Sequence, residues 1–519
     1  MCSSDLALAT CGTRTQVPAL LDTLADVDPI VAQGAAVALE NLTGWRGEFD
    51  PFADSDTQRK QQTAWRAACS PDAWPERQTE LLGRLGSADR DVVRRAAVTL
   101  THSGDAAALP ALTAWFTAQR EVNPYPAWRA QGHVSDAVQF NSLAPQNPRT
   151  LQAVTRAIGR LGGETQLPLL AETLARCDNP EGGNLFLAEA CIEAIGSLAE
   201  KGVPQAETAL VTAFGHLREH WRLSEWYGDH TALMACHASP PHALILEALD
   251  RLGSTQAAAV APAILRSVPT DPDRLLAYGT DDYEQLAGRV LRRAGLEESI
   301  VETCFALLGD ASAKRDPALA AAISVRHGAW AGSPGGDIRA AQMLSLVCRD
   351  KRYVPRLCAT LDRWRQAPCT IARVFDRGIP VVDEMPTRHW ISFFLARALG
   401  EIRDPSAVDS LLAGLAAEPE AAHGRPDPLG PGVLFLHNDL TPCWRAECAW
   451  ALGRLGDRRA LVPLRAVLTD DLNAVDTRYA AAVALVALST ADERADLAKL
   501  INQDMETSIQ VCLRRAAEG

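Results

Sequence analysis

Residues 443–488 read CWRAECAWALGRLGDRRALVPLRAVLTDDLNAVDTRYAAAVALVAL, and this stretch decides the fold. Apolar residues recur at helical spacing up to a break at Gly456, and a leucine-rich run then continues to Leu468. A short Asp-bearing loop leads into a third run, which opens with Arg478 and paired alanines. Helices of this length that are apolar on one stripe are marginal alone, because they need a neighbour to bury that stripe. The stretch therefore predicts a helix pair that repeats.

The same pair recurs along the chain, with an alanine-rich first helix, a short inner turn and a leucine-rich second helix. About eleven such turns can be followed, which predicts about eleven helix pairs. Several second helices carry Pro in the first turn, where a missing N–H costs nothing. The turns are ATCGT at 9–13, ENLTG at 40–44, THSGD at 101–105, GRLGG at 159–163, GSLAE at 196–200, DRLGS at 250–254, RRAGL at 292–296, LVCRD at 346–350, GEIRD at 400–404, GRLGD at 453–457 and ALSTAD at 487–492.

Three stretches carry a resemblance to a known family. They are LLDTLADVDPIVAQGAAVALENL at 20–42, LLGRLGSADRDVVRRAAVTL at 81–100 and VLTDDLNAVDTRYAAAVALVAL at 467–488. Each contains a leucine-rich helix, an Asp-bearing loop and a helix opening with paired Ala, and this pattern resembles the HEAT-repeat family with its bacterial HEAT-like variants. The first stretch departs from it at Gln33, where the family usually has Arg. The resemblance implies an all-α fold, an α-solenoid superhelix, over nearly the whole chain. HEAT arrays serve mostly as binding scaffolds with unrelated partners, so it does not imply a particular function.

Composition excludes several classes of protein. The chain has 519 residues and a net charge of −13, and no run of Lys and Arg exceeds three residues, so nucleic acid is not expected as a partner. No apolar stretch approaches the ~18 residues of a membrane span, and residues 1–10 lack the regions of a signal peptide. The 13 Cys residues include no CxxC pair, which favours a reducing compartment. We expect a cytoplasmic protein without a membrane span, and the oligomeric state stays open.

The beginning of the chain predicts a missing natural N-terminus. Residues 2–6, CSSDL, are a translation of the end of a common sequencing adapter. We therefore expect the chain to be part of a longer protein, such as a C-terminal accessory region. We expect residues 1–519 to form a single solenoid, with sub-blocks 1–175 and 176–519 as its division.

The spacing of the turns predicts long loops on one edge. Turns near residues 295, 349, 403 and 456 are 53 or 54 residues apart, whereas a minimal helical repeat needs roughly 34–47. The extra residues lie chiefly between the second helix of one repeat and the first helix of the next. A further insert, at 45–79, interrupts a repeat at its inner turn. The six inter-repeat inserts are 117–148, 215–241, 269–284, 326–338, 365–389 and 416–443.

These six inserts contain nine of the 11 His residues and several Trp residues, which makes the loop edge the candidate binding site. Asp229-His230 and His437-Asn438-Asp439 are the most site-like segments, because neighbouring Asp and His can orient one another for proton transfer or metal binding. Exclusion of His from Ala/Leu helices would produce the same enrichment. The candidate binding residues are Trp226, Asp229, His230, His237, His327, His389, Trp390, His437 and Asp439.

Two inserts look like versions of one another. GIPVVDEMPTRHW at 378–390 and GPGVLFLHNDLTPCW at 430–444 share Gly-Pro punctuation, a short apolar run and a final Trp. A brief strand or hairpin is predicted on each insert. Because the same loop recurs in neighbouring repeats, we interpret it first as a structural plug, anchored by Trp390 and Trp444.

Two functions stay open. The first is a non-enzymatic scaffold that binds a protein partner through its concave face or its loop edge. The alternative is an enzyme, or part of one, with a small-molecule or metal site formed by the His/Trp/Asp-rich loops. There is no Walker loop, no G-x-G-x-x-G after a strand and no G-x-S-x-G elbow, so no catalytic residue, metal ligand or cofactor is assigned. Convergence of the loop His and Asp side chains in one pocket would favour the enzyme.

Overall fold

The computed structural model describes residues 12–120, 148–177, 185–216, 241–268, 280–325, 336–367, 374–376, 379–381, 387–417, 444–502 and 505–518. The chain divides into two compact units, unit 1 (Met1–Gln256) and unit 2 (Ala257–Gly519). The described helices of unit 1 are α1 (Val17–Thr23), α2 (Pro29–Thr43), α3 (Ser55–Ala68), α4 (Trp74–Arg84), α5 (Arg90–Ser103), α6 (Leu109–Gln119), α7 (Pro148–Leu161), α8 (Leu167–Cys177), α9 (Leu185–Glu200), α10 (Ala206–His216) and α11 (Pro241–Leu252).

The described elements of unit 2 are also helices, apart from one short hairpin. The helices are α12 (Ala261–Ser267), α13 (Thr280–Arg293), α14 (Glu297–Leu307), α15 (Pro317–Ile323), α16 (Gly336–Val347), α17 (Val354–Arg365), α18 (Thr387–Ile402), α19 (Val408–Leu415), α20 (Trp444–Leu455), α21 (Leu461–Thr469), α22 (Val475–Leu488), α23 (Ala491–Leu497) and α24 (Thr507–Glu518). The strands β1 (Val374–Asp376) and β2 (Ile379–Val381) pair antiparallel.

The helices of each unit form two layers, which confirms the predicted α-solenoid. Every turn from ENLTG at 40–44 to ALSTAD at 487–492 lies between the two helices of a pair, which we call alanine-rich and leucine-rich after the repeat pattern, although α13 holds one Ala and α23 one Leu. In the first pair, α3 lies between the turn and the second helix, α4. Alanine-rich helices pack side by side as α2, α5, α7, α9 and α11 in unit 1, and as α13, α16, α18, α20 and α22 in unit 2. Among the described helices, none is long and apolar enough to cross a membrane.

The chain divides into two units after Gln256, and the predicted sub-blocks 1–175 and 176–519 stay a prediction. α7 and α8 end before residue 178 and α9 begins after it, yet α9 packs along both of them. These contacts keep the two sides of the predicted boundary within unit 1. A single solenoid over residues 1–519 stays a prediction.

Aspartates at the end of the turn motifs begin the leucine-rich segments. Asp105, Asp350, Asp404 and Asp457 each accept a hydrogen bond from the backbone N–H two residues further on, at 2.9 Å. Such caps satisfy a donor that would otherwise have no partner, and each contributes about 1 kcal/mol. The Asp of the turn motif therefore fixes where the second helix starts.

Buried arginines near the start of alanine-rich helices cap the leucine-rich helices before them. Arg445 donates two hydrogen bonds to the carbonyl of Leu415, at 3.1 and 3.0 Å, and Arg478 donates one to Leu468, at 3.2 Å. The last carbonyls of a helix have no partner within the helix, and they carry partial negative charge. A guanidinium supplies several donors and a positive charge at that point. This contact is the physical reason for the Arg of the repeat pattern.

Glycines let neighbouring alanine-rich helices approach closely. A Cβ placed on Gly159 of α7 would lie 2.6 Å from the Cβ of Ala194 on α9, and one on Gly453 of α20 would lie 3.0 Å from the Cβ of Ala484 on α22. Both glycines open the same turn motif, GRLG, at 159–162 and 453–456. Side chains at this position would force the helices apart.

Gly159→Ala is expected to lower the free energy of unfolding by about 1–3 kcal/mol, because the added methyl group overfills the contact between α7 and α9. Gly83→Ala is the matched control, because a Cβ at this helical position of α4 meets no atom within 4 Å. The control should raise stability by about 0.5–1 kcal/mol through loss of backbone freedom in the unfolded chain. Urea unfolding followed by circular dichroism measures both. Equal effects of the two substitutions would contradict the close approach.

The insert at 45–79 contains α3 and is held by tryptophans. Trp65 of α3 is buried, and its indole N–H donates to the carbonyl of Glu48 at 3.3 Å. Trp45 contacts it edge-on, with ring centroids 4.6 Å apart. Trp65 belongs to the same apolar cluster as Leu20 and Leu39 of the neighbouring helices. The insert is therefore part of the core of unit 1.

The hairpin β1–β2 lies in the insert at 365–389, and β2 falls within the stretch 378–390 where a strand was predicted. The second predicted hairpin, at 430–444, lies outside the described residues except for its last position. That position is Trp444, which is 5% exposed at the start of α20. A Cβ on Gly414 of α19 would lie 3.2 Å from the Trp444 ring, so the ring fills the space beside this glycine. Its burial is consistent with the predicted anchoring role.

Candidate functional site

Most of the predicted loop-edge residues lie outside the described residues, so their convergence stays a prediction. They are Trp226, Asp229, His230, His237, His327, His437 and Asp439. His389 and Trp390 are described, at the start of α18. Trp390 is 2% exposed, and its ring lies 5.8 Å from that of Phe394, centroid to centroid. Burial, together with the charge of Arg388, lowers the pKa of His389 to about 4. His389 is therefore neutral at pH 7, and Trp390 is part of the core.

The described residues contain neither a metal-binding cluster nor an activated cysteine among those that lie in helix packing. Across the described ranges, no group of three or more His, Cys, Asp or Glu side chains could hold a metal ion. Cys191, Cys304 and Cys348 are fully buried in helix packing, and burial raises the pKa of each thiol. Raised pKa values make thiols poor nucleophiles. These cysteines act as small apolar residues, as their helical positions predict.

A cavity of about 500 Å³ crosses four alanine-rich helices of unit 1, namely α5, α7, α9 and α11. We call it the charged groove. Its wall combines charged side chains with small and apolar ones. It is lined by Thr101, His102, Arg156, Arg160, Ile192, Glu193, Ala194, Ser197, Glu200, Leu244, Glu247, Ala248 and Arg251.

Helical spacing places charges of opposite sign on the two central helices of the groove. Arg156 and Arg160 are four residues apart on α7, and Glu189 and Glu193 are four residues apart on α9. Residues at this spacing share one face of a helix. Stacking of α7 against α9 therefore sets a basic face beside an acidic face.

Arg156 joins these two faces. Its Nη2 lies 3.1 Å from Oε1 of Glu193, its Nε donates to Oε2 of the same carboxylate, and its Nη2 lies 3.9 Å from Oε1 of Glu189. Although burial opposes it, bonding to Glu193 and the charges of both carboxylates raise the pKa of Arg156. Bidentate pairing of this kind fixes geometry as well as charge. Arg156 is therefore neutralised by α9.

This arrangement disfavours the ionised form of Glu189. Burial and the neighbouring charge of Glu193 raise the pKa of Glu189 from 4.5 to about 7, while Arg156 opposes the shift. Its side chain is 12% exposed. The guanidinium of Arg156 thus lies beside two carboxylates, and the carboxylate of Glu189 is half-protonated near neutral pH.

Two charges of the groove have no partner among the described side chains. Arg251 of α11 pairs with Glu200 of α9 at 3.0 Å, and Glu247, one turn earlier on α11, forms no ion pair with a described side chain. Arg160 is exposed on α7 and pairs with none of the described carboxylates. Lys201, close to Arg160, instead donates to the carbonyls of Gly159 and Gly162 at 3.1 and 3.0 Å. Among the described residues, the groove therefore offers one cation and one anion that form no ion pair.

Cross-helix pairing of Arg and Glu recurs in the alanine-rich layer of unit 2. Arg454 of α20 lies 2.8 Å from Glu401 of α18, and Arg349 lies 3.7 Å from the same carboxylate. Trp450 and Tyr479 make an edge contact beside it, with centroids 6.2 Å apart. Arg/Glu pairing is thus a repeated feature of this layer.

The composition of the inserts predicted a site of His and Trp residues, and the charged residues of the groove were not predicted. A usable signal was present, because Arg160, Glu401 and Arg454 each follow a glycine that opens a turn motif. Their glycines mark where alanine-rich helices approach closely, and the next residue then lies near the neighbouring helix. Charges at this position therefore indicate contacts between repeats.

Comparisons with known proteins find one family model and several solved structures that are similar to the chain. A family model described as PBS lyase HEAT-like repeat matches residues 394–417 and 444–470. Among solved structures, the chain is similar to the karyopherin Kap121p bound to Ste12p, at 13% identity and a TM-score of 0.43, over 97% of this chain and 53% of that chain. It is also similar to importin beta in an ammonium sulfate condition, at 13% identity and a TM-score of 0.33, over 97% and 62% of the two chains. The chain spans about half the length of Kap121p. No curated protein matches its sequence.

Layers of paired helices with capped turns define the chain as an α-solenoid. The family match falls on α18 to α21, the pairs that contain the Asp404 and Asp457 caps and the buried Arg445. Residues 394–417 and 444–470 are therefore HEAT-like repeats, and the rest of the described chain repeats the same helix pair.

Proposed function

We propose that this chain is a scaffold that binds a protein partner as an extended segment lying in the charged groove of unit 1. The observation that carries the proposal is the presence of unpaired Arg160 and Glu247 on a cavity that crosses α5, α7, α9 and α11. A surface made from several successive repeats suits a ligand longer than a metabolite, because each helix contributes a few side chains.

The neutralised centre of the groove also supports a binding role. Arg156 is paired with Glu193, and Arg251 with Glu200. Paired charges of this kind hold their geometry before a partner arrives, which lowers the entropy cost of binding. Ile192 and Leu244 add apolar wall between them. Enzymatic chemistry in the loops stays an alternative prediction, which rests on residues outside the described ranges.

A random dodecapeptide phage library tests the proposal. Selection on the wild-type chain should enrich groove-binding sequences, and the charge-reversal variant Arg160→Glu/Glu247→Lys should bind them about tenfold more weakly, because two unpaired charges change sign. The matched control is Lys60→Glu/Glu76→Lys, which reverses two exposed charges outside the groove with the same net charge. If the selected peptides bind the charge-reversal variant as tightly as the control variant, or if no peptide is enriched, binding in the groove is contradicted.

A further inference from the structure

We infer that the charged groove reads the order and spacing of charges in its ligand: an acidic side chain at the α7 end and a basic side chain at the α11 end, about five or six residues apart. This inference rests on the proposed binding of an extended segment, and it adds the chemistry of that segment and its direction across the helices. Nothing in the sequence pattern of the repeats specifies either property.

The α7 end attracts an anion. Arg160 is exposed there, and no described carboxylate lies within ion-pair distance of it. His102 lines the same end, where burial lowers its pKa, so it contributes a neutral imidazole at pH 7. The ammonium of Lys201 adds further positive charge at the end of α7. A carboxylate on the ligand would pair with Arg160, whereas a second cation would meet like charge.

The α11 end attracts a cation. Glu247 lines the groove there, and the nearest basic residue of its own helix, Arg251, is turned towards Glu200. A Lys or Arg of the ligand would supply the missing partner. The two ends therefore favour opposite charges, which gives the bound segment one direction.

The middle of the groove requires no charge. The carboxylates of α9 that face it, Glu193 and Glu200, are already paired with Arg156 and Arg251. Ser197, Ala194 and Ala248 form a wall of small side chains between those pairs. An additional charge there would be desolvated without a free partner, which is unfavourable. Small or apolar ligand residues fit the centre.

Helix spacing sets the distance between the two ligand charges. Packed helices lie about 8–10 Å apart, so α7 and α11, with α9 between them, are separated by roughly 16–20 Å. An extended chain advances about 3.3 Å per residue. Five or six residues therefore span the two ends. A free amino acid or a short diamine is too short to reach both charges.

Synthetic dodecapeptides of Ala, Ser and Leu with one Asp and one Lys test this inference. The separation of the two charges is varied from three to nine residues, in both orders, and binding is measured by fluorescence anisotropy. Wild-type protein should bind best at five or six residues, with affinity about tenfold above the shortest separation. The peptides carry a fluorescent label at one end, so the direction in which they bind can be measured. On the Arg160→Glu/Glu247→Lys variant the peptide should bind in the opposite direction, with its Lys nearest α7. On the control variant Lys60→Glu/Glu76→Lys its direction should not change.

The position of the fluorescent label is read by quenching from a spin label on a cysteine introduced at Glu164, just after α7, or at Thr255, just after α11, both exposed and outside the groove lining. A third variant, Ser197→Trp, fills the groove without changing its charge. If peptides bind, and Ser197→Trp abolishes binding, but affinity is independent of charge spacing and direction, the charge-order inference is overturned while the proposed groove binding stands. If Ser197→Trp leaves binding unchanged, both are overturned. Thermal unfolding by circular dichroism checks that each variant is folded.

Discussion

Arg339→Met is expected to lower the free energy of unfolding of unit 2 by about 3–5 kcal/mol. Arg339 is 0% exposed on α16 and donates to the carbonyls of Ile323 at 2.6 Å, Val268 at 3.2 Å and Leu265 at 2.7 Å. These carbonyls lie at the ends of α15 and α12, so one guanidinium caps two helices. Met has similar length and no donors, so the substitution leaves several buried acceptors unsatisfied while it largely preserves volume.

Urea unfolding followed by circular dichroism measures this loss. Arg315→Met is the matched control, because Arg315 is exposed and its side chain forms no hydrogen bond or ion pair with the described residues. Arg339→Lys should fall between the two, since an ammonium keeps the charge but cannot reproduce the fork of donors that reaches three carbonyls. If Arg339→Met and Arg315→Met unfold at the same urea concentration, the capping role of Arg339 is wrong.

Arg339 also shows how far the repeat pattern predicts the fold. In the repeat at 467–488, the pattern placed Arg478 just before paired alanines, and the structure buries Arg478 against the end of the preceding helix. Arg339 stands before the paired alanines Ala340 and Ala341, yet it reaches α12 as well as α15. Periodicity predicted the helices and their order, because burial of one stripe is a local requirement. It could not predict which earlier helix a long side chain would reach.

The candidate site was harder to predict than the fold, for a related reason. The site was predicted at the His and Trp residues of the inserts because they concentrate there, but Trp390 is buried. The charged groove depends on pairs such as Arg156 with Glu193, which are 37 residues apart. Only the stacking of α7 on α9 brings them together. Ordinary charged residues on alanine-rich helices look like solvated positions until that stacking is known.

The division between the two units was not predictable from the repeats either. Helix patterns on the two sides of Gln256 are alike, with DRLGS at 250–254 before it and RRAGL at 292–296 after it. A change of unit within a repeat array requires only that fewer contacts form at one position. Such a difference depends on packing between helices and leaves no mark in hydrophobic periodicity.

Glu189→Gln is expected to make the stability of unit 1 less sensitive to pH, and to stabilise the protein above pH 7. Burial and the charge of Glu193 raise the pKa of Glu189 from 4.5 to about 7, so between these pH values the native state binds more protons than the unfolded state. Stability from this group is therefore fully present below pH 4.5 and is lost as the pH rises through 7. A neutral amide of the same shape avoids this loss.

At pH 8 the variant should be more stable than the wild type by about 2 kcal/mol, on the order of the pKa shift converted to free energy and reduced for partial exposure. At pH 4.5 the two proteins should unfold nearly alike, because Glu189 is then protonated in the native state and already half-protonated in the unfolded state. Glu247→Gln is the control, since it removes an exposed carboxylate of the same groove that has no basic partner. Thermal unfolding at pH 4.5, 6, 7 and 8 decides the matter. Parallel loss of stability with pH in wild type and Glu189→Gln would show that Glu189 is ionised throughout, and that Arg156 holds both carboxylates of α9.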